Sequence, residues 1–87
     1  MSIRVLYLGK LADVAGQAVS ELSPSRGDLD WPAILALLDA HVREGLADAI
    51  LDERVKVALN GAVLSNREAL VARNGDEVAF LPPVSGG

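Results

Sequence analysis

The residues with the clearest chemical potential in this 87-residue chain are its last seven, Leu81-Pro82-Pro83-Val84-Ser85-Gly86-Gly87. The expected reactive group is the main-chain carboxylate of Gly87, not a side chain. A carboxylate is a poor acyl donor until one oxygen becomes a leaving group. Adenylation provides that, and sulfur or an amine can then take the acyl position. Gly86 and Gly87 lack Cβ atoms, so they fit a narrow channel and let a nucleotide phosphate come close. Upstream, Pro82 and Pro83 offer no backbone donor and hold φ fixed, so strand pairing stops and the chain leaves its sheet. From Pro82 to Gly87 an arm reaches up to roughly 20 Å, at about 3.3 Å per residue. Its stiffened base distinguishes it from an end that merely frays.

The other side chains supply no second chemistry. The one histidine, His41, falls near the end of a helical pattern with no cysteine, serine elbow or metal cluster beside it, and reads as a satisfied or solvent-facing helix residue. Asp13, Asp28, Asp30, Asp39, Asp48, Asp52 and Glu53 lack the spacing of a calcium loop or a two-carboxylate hydrolase and read as solvated surface. Gly61 and Gly75 follow asparagines and belong to turns, not to a phosphate-cradling loop. Cysteine is absent, which removes disulfides, thiolate nucleophiles and cysteine-ligated zinc and is compatible with a reducing cytoplasm. It also leaves no internal thiolate to divert an activated terminus.

With 12 acidic against 8 basic residues and a net charge of −4, the chain lacks the positive potential that phosphate-backbone binding needs, so no nucleic-acid partner is expected. No apolar run approaches the roughly 20 residues that span a bilayer, and Met1 to Leu8 opens a strand-like pattern instead of a basic signal peptide. A soluble cytoplasmic protein is expected.

The elements that must carry the arm follow from size and pattern. Surface scaling gives roughly 4,900 Å² exposed when folded against roughly 13,000 Å² unfolded, enough for one small core and no second one. A domain over residues 1–81 followed by the tail 82–87 is the simplest division. Ile3 to Leu8 is dense in strand-forming residues and stops at Gly9; Ile3, Val5 and Tyr7 mark one face and Leu6 and Leu8 the other, which suits a central strand. Leu11, Val14 and Ala15 before Gly16 suggest a short helical turn, and Gln17 to Leu22 a weaker returning strand.

Ser23 to Asp28 reads as a loop. Asp30 then caps a helix whose first turn holds Pro32, with Trp31 as an anchor at its start, and which runs to about His41 or Val42. Ile34, Leu35, Leu38 and Val42 form its apolar stripe, which must pack on a sheet. Gly45 ends that helix and Leu46 to Leu51 makes another short turn. Arg54 to Asn60 is the cleanest alternating strand, Asn60-Gly61 a type I′ turn pair, and Ala62 to Leu64 the short antiparallel partner. Ser65 to Arg73 reads as a loop, Asn74-Gly75-Asp76 as a turn, and Glu77 to Leu81 as the last strand, with Val78 and Phe80 toward the helix. The result is an α+β arrangement, one helix across a mixed sheet of four or five strands. This order fits a ubiquitin-like β-grasp, and the same elements also wire into other small α+β folds.

Phe80 to Gly87 (FLPPVSGG), preceded by Asn74 to Ala79 (NGDEVA), together with VLYL near the start and the turn at Leu59 to Gly61, resembles the family of small, sulfur-carrying molybdopterin synthase subunits, the MoaD family. The resemblance covers essentially the whole chain. Leu81 stands where many relatives carry a second aromatic and Ser85 where threonine is also found, departures that leave the terminal chemistry untouched.

The resemblance implies a β-grasp protein with no bound cofactor. Its Gly87 carboxylate would be adenylated with ATP by a ubiquitin-activating-type enzyme and converted to a thiocarboxylate. The loaded tail would enter the large synthase subunit, in a heterotetramer of two small and two large chains, and give sulfur to cyclic pyranopterin monophosphate. Gly87 would carry the sulfur and Gly86 give passage. Pro82, Pro83, Val84 and Ser85 would position the arm against its partner. Of the two residues at the end of the last strand, Phe80 is a candidate for the core and Leu81 for partner contact, and both belong to the partner-binding stretch. Catalytic side chains would belong to the partner, so the chain alone would be no enzyme. The rival readings are a sulfur carrier for another pathway such as thiazole synthesis for thiamine, a ubiquitin-like modifier joined to lysines through Gly87, and a β-grasp interaction module with an inert tail.

Overall fold

The computed structural model describes residues 2–24 and 27–83. The first strand, β1 (Ile3–Tyr7), buries Ile3, Val5 and Tyr7 and turns Arg4 and Leu6 to the opposite face, the period-2 alternation of a pleated strand. It pairs antiparallel with β2 (Val19–Leu22) and parallel with β7 (Glu77–Leu81), which is therefore interior to the sheet. On its other side β7 runs antiparallel to β4 (Lys56–Leu59), and β4 pairs with β5 (Ala62–Val63), giving the order β2-β1-β7-β4-β5. Asn60 and Gly61, with φ of 51° and 87°, make the left-handed pair that a two-residue hairpin needs.

A parallel neighbour requires a crossover, and the chain between β1 and β7 supplies it on one face of the sheet. Its main piece is α2 (Trp31–His41), whose N-cap Asp30 accepts a hydrogen bond from the Ala33 N–H at 3.0 Å and whose first turn holds Pro32. Ile34 and Leu38 of the expected stripe are fully buried, Leu35 and Val42 partly, and they pack with Val78 and Phe80 of β7 in the core. Trp31 is buried at the helix start and His41 exposed at its end. Two short helices, α1 (Lys10–Ala15) and α3 (Leu46–Ile50), close the core's flank with Leu11, Ala15, Leu46 and Ile50. Among the described residues, no helix is long and apolar enough to cross a membrane.

The largest departure from the sequence expectation lies between Ser65 and Arg73. Ser65 to Arg73, expected as a loop, contains a 3₁₀ turn (Arg67–Ala69) and a two-residue strand β6 (Val71–Ala72). That strand pairs with β3 (Leu29–Asp30), which directly follows Asp28. Two-residue strands are too short to show periodicity, and their partners lie about forty residues apart in the chain. Val55, expected as the strand residue next to Arg54, stands just before β4 and is still buried.

Candidate functional site

The site begins where β7 ends. In the β7 register Val78 and Phe80 point into the core, with Val57 of β4 and Tyr7 of β1 as the neighbours of Phe80. The Phe80 and Tyr7 rings stack at 6.2 Å with planes 18° apart. The Tyr7 hydroxyl donates to Ser20 Oγ at 3.1 Å, and burial pushes the phenol above its ordinary range, partly offset by that bond. With no exposed surface, Phe80 takes the core role and offers a partner nothing directly, correcting its place in the partner-binding stretch. Leu81 alternates to the other face, half-buried opposite Lys56.

The strand's register is set at its other end by the Asn74-Gly75-Asp76 turn. Asp76 accepts from Asn60 Nδ2 at 3.0 Å and from the Arg73 N–H at 2.8 Å. These two bonds hold its carboxyl below the usual carboxylate range, the Asn60 bond contributing most. Asn60 Oδ1 in turn accepts from the Glu77 N–H at 2.9 Å, and the Gly75 N–H donates to the Ser2 carbonyl at 2.8 Å. The turn thus ties β7 to both β4 and β1. A slip of one residue would turn Phe80 outward and Leu81 inward.

Because β1 and β7 are parallel, the arm leaves the body beside the β1–α1 junction. The Leu8 N–H donates to the Phe80 carbonyl at 3.1 Å, after which Pro82 has no N–H to offer. Pro82 is half-buried and lies over Gly9, while Pro83 is exposed. The sequence-predicted residues Val84, Ser85, Gly86 and Gly87 lie outside the described residues.

Beside this root lies the sheet face turned away from α2. Strand register places Val19, Leu6, Ala79, Ala58 and Val63 in one row across all five strands. Val19 and Val63 at its ends are 45% and 58% exposed, while Leu6 and Ala79 between them are half-buried and Ala58 is buried. Toward the arm, Leu8 at 43% exposure and Leu81 extend the apolar surface. Away from it the face turns polar with Arg4, Glu21 and Glu77, the Arg4–Glu21 pair standing 3.8 Å apart. Scattered exposed hydrophobics are ordinary, but an apolar row bordered by Leu8 and Leu81 at the root of an arm is the form of a docking surface. The sequence hinted at it only through the second apolar face of β1.

On the helical side, a groove of about 620 Å³ runs along the root between Pro82, Pro83, Leu11 and Val14. Asp52 stands on its rim, gripped by Arg54 through Nε at 3.2 Å and Nη2 at 3.0 Å. Those bonds bring its carboxyl down to about 2. Nothing in either surface resembles a catalytic grouping. Of the scattered acids, Asp13, Asp28, Asp30, Asp39, Asp48 and Glu53 are exposed and Asp52 half-buried. Among the described residues no cluster of three or more potential ligands is placed to hold a metal ion. The arrangement brings the last described residues, Pro82 and Pro83, out of a packed sheet with an apolar face alongside.

Comparison with known proteins agrees with that geometry. The ThiS family matches residues 5–87. A molybdopterin synthase sulfur carrier subunit of Chlamydomonas reinhardtii is 36% identical with both chains covered in full. One from Escherichia coli K12 is 32% identical over 98% of this chain and 99% of its own. Among solved structures, SAMP1 of Haloferax volcanii superposes over the full length of both chains with a TM-score of 0.77 at 28% identity. A family match from the first strand through the arm, on a sheet of this topology, identifies the chain as a ubiquitin-like β-grasp protein of the ThiS family, related over its whole length to molybdopterin synthase sulfur carrier subunits.

Proposed function

We propose that this chain carries sulfur to molybdopterin synthase on the carboxyl group of Gly87. The Gly87 carboxylate attacks the α-phosphorus of ATP in a ubiquitin-activating-type enzyme, releasing pyrophosphate. A sulfur nucleophile then displaces AMP and leaves a thiocarboxylate. The loaded arm enters the large synthase subunit, gives its sulfur to cyclic pyranopterin monophosphate, and is returned by water to the carboxylate. Two such donations build the dithiolene, in a heterotetramer of two small and two large subunits. ATP-dependent loading needs a compartment that supplies ATP, and the proposed one is the cytoplasm. The catalytic side chains belong to the partners, and this chain contributes docking and delivery.

The observation that carries this reading is full-length relationship to carrier subunits, joined to an arm rooted on the interior strand β7 beside an apolar face. The sheet face supplies affinity to whichever partner encloses the arm, and the prolines limit the conformations the arm loses on entry. Reconstitution with a large synthase subunit and the pterin precursor tests it. Molybdopterin formation that depends on prior ATP-dependent loading is expected, and its absence with demonstrably loaded protein refutes the reading. Deleting Gly87 is expected to abolish loading while moving the melting temperature by less than about 2 °C, because the deletion lies beyond the packed core.

The likeness to SAMP1, of which a second structure is described as a small archaeal modifier protein, favours one alternative, a modifier joined to target lysines through the same activated terminus. Intact mass from native cells separates the two. One oxygen replaced by sulfur marks the carrier, and a branched lysine adduct the modifier.

A further inference from the structure

The arm's direction of exit is decided at Gly9, a residue the proposed chemistry does not touch. Gly9 joins β1 to α1 with φ 54° and ψ −132°, a combination that residues with a Cβ rarely adopt and only under strain. Space forbids one as well, since a Cβ on Gly9 would stand 2.9 Å from Pro82 Cγ and 3.8 Å from Pro82 Cδ. The first distance is shorter than carbon atoms tolerate. The Pro82 ring therefore rests on the bare backbone of the β1–α1 turn. That turn is itself held in place, with the Leu8 N–H on the Phe80 carbonyl at 3.1 Å, the Leu11 N–H on the Leu8 carbonyl at 3.1 Å and the Ala12 N–H on the Gly9 carbonyl at 3.1 Å.

A flexible side chain pressed by a new methyl group would rotate away. Proline differs because its ring includes the backbone nitrogen and Cα, so once the small swing of Cγ between its two puckers is used up, relieving the contact turns the main chain from which the arm continues. Any such turn changes the direction in which the chain leaves the sheet at Pro82. We infer that Gly9 is a positioning residue for the arm: its missing side chain seats Pro82 and thereby aims the terminal carboxylate. This deepens the carrier reading and rests on it.

Separate surfaces then govern binding and aim. The apolar sheet face sets affinity for the activating enzyme, whereas the seat at Gly9 sets where the carboxylate arrives, so Gly9→Ala is expected to lower kcat for adenylation while leaving KM within twofold. A misplacement of about 1 Å at a reacting group lowers rate by up to about 100-fold, and we expect a loss of about tenfold here. Because the strained backbone also weakens folding, a double-mutant cycle separates aim from stability. In a Pro82→Ala background the ring is gone, and adding Gly9→Ala should lower kcat by less than twofold further. All four proteins are assayed well below their melting temperatures.

The seat itself is checked without any enzyme, by nuclear Overhauser contacts between Gly9 Hα and the Pro82 ring protons in the native chain. Their absence overturns the inference. So does a kcat loss below twofold for Gly9→Ala alone, a loss carried in KM instead, or an equal kcat loss in both backgrounds. Should the native chain show the contacts yet never be adenylated, the carrier reading fails and the aiming role falls with it, while the seat stands.

Discussion

Arg67 is the side chain whose removal the structure makes most consequential outside the apolar core. Its guanidinium lies 5.4 Å from the Trp31 ring centroid and faces four main-chain carbonyls at the end of α3 and the approach to β4. Nη1 reaches the carbonyls of Ile50 at 3.0 Å, Asp52 at 2.7 Å and Val55 at 3.1 Å, and Nη2 that of Leu51 at 2.7 Å. Nη1 has two hydrogens, so its three acceptors share two bonds, and the set amounts to about three full hydrogen bonds. Bonds to a charged group contribute about 1.5–3 kcal/mol each, which partial exposure to water reduces to about 1 kcal/mol each here. The contact with Trp31 adds about 0.5–1 kcal/mol.

Arg67→Met keeps the aliphatic stem and removes all of these, so a loss of about 3–4 kcal/mol is expected. That is a large share of the stability of a domain this size, whose total lies on the order of 5–10 kcal/mol. At about 4–8 °C per kcal/mol, the melting temperature should fall by more than about 12 °C. Trp31, the one tryptophan, is buried and reports unfolding by fluorescence in a urea titration, with circular dichroism as the independent probe. Arg67→Lys retains charge without the planar fork and should fall between the two. A loss below about 1 kcal/mol for Arg67→Met, with unchanged m-value, would refute the claim that these carbonyls depend on Arg67.

Two further outcomes follow from the site. Val19→Asp and Val63→Asp, at the exposed ends of the apolar row, should raise KM for the activating enzyme by about tenfold, roughly 1.4 kcal/mol of lost affinity, with kcat and melting temperature nearly unchanged. Steady-state adenylation kinetics check this, and unaltered KM in both variants would show that the face takes no part in docking. Asp76 has a pKa depressed in the folded state, so its stabilising contribution is complete above the unfolded value of about 3.9 and disappears as pH falls through the lower folded value. Asp76→Asn should therefore be less stable than the native chain at neutral pH and should lose less stability on acidification below about pH 4. Parallel loss in the two proteins, measured by urea titration across that range, would contradict it.

Local chemistry along the chain determined much of this protein before any folding was considered. Two consecutive prolines end a strand wherever they stand, Asn60-Gly61 forms its hairpin by backbone preference, and Asp30 followed by Pro32 starts a helix through short-range bonds alone. Strand alternation in β1, β4 and β7 likewise marked which residues point inward, because it depends only on the pleat. Tertiary structure decided what depends on distant partners. The pairing of β3 with β6, the carbonyl cradle around Arg67 and the tie between Asn60 and Asp76 join segments whose separation leaves no trace in local pattern. The apolar row exists only because four strand pairings share one register, and it runs across the chain, where periodicity cannot see it. Gly9 shows the difference most plainly. In sequence it is merely where a strand stops, and only the parallel pairing of β1 with β7 brings Pro82 onto it.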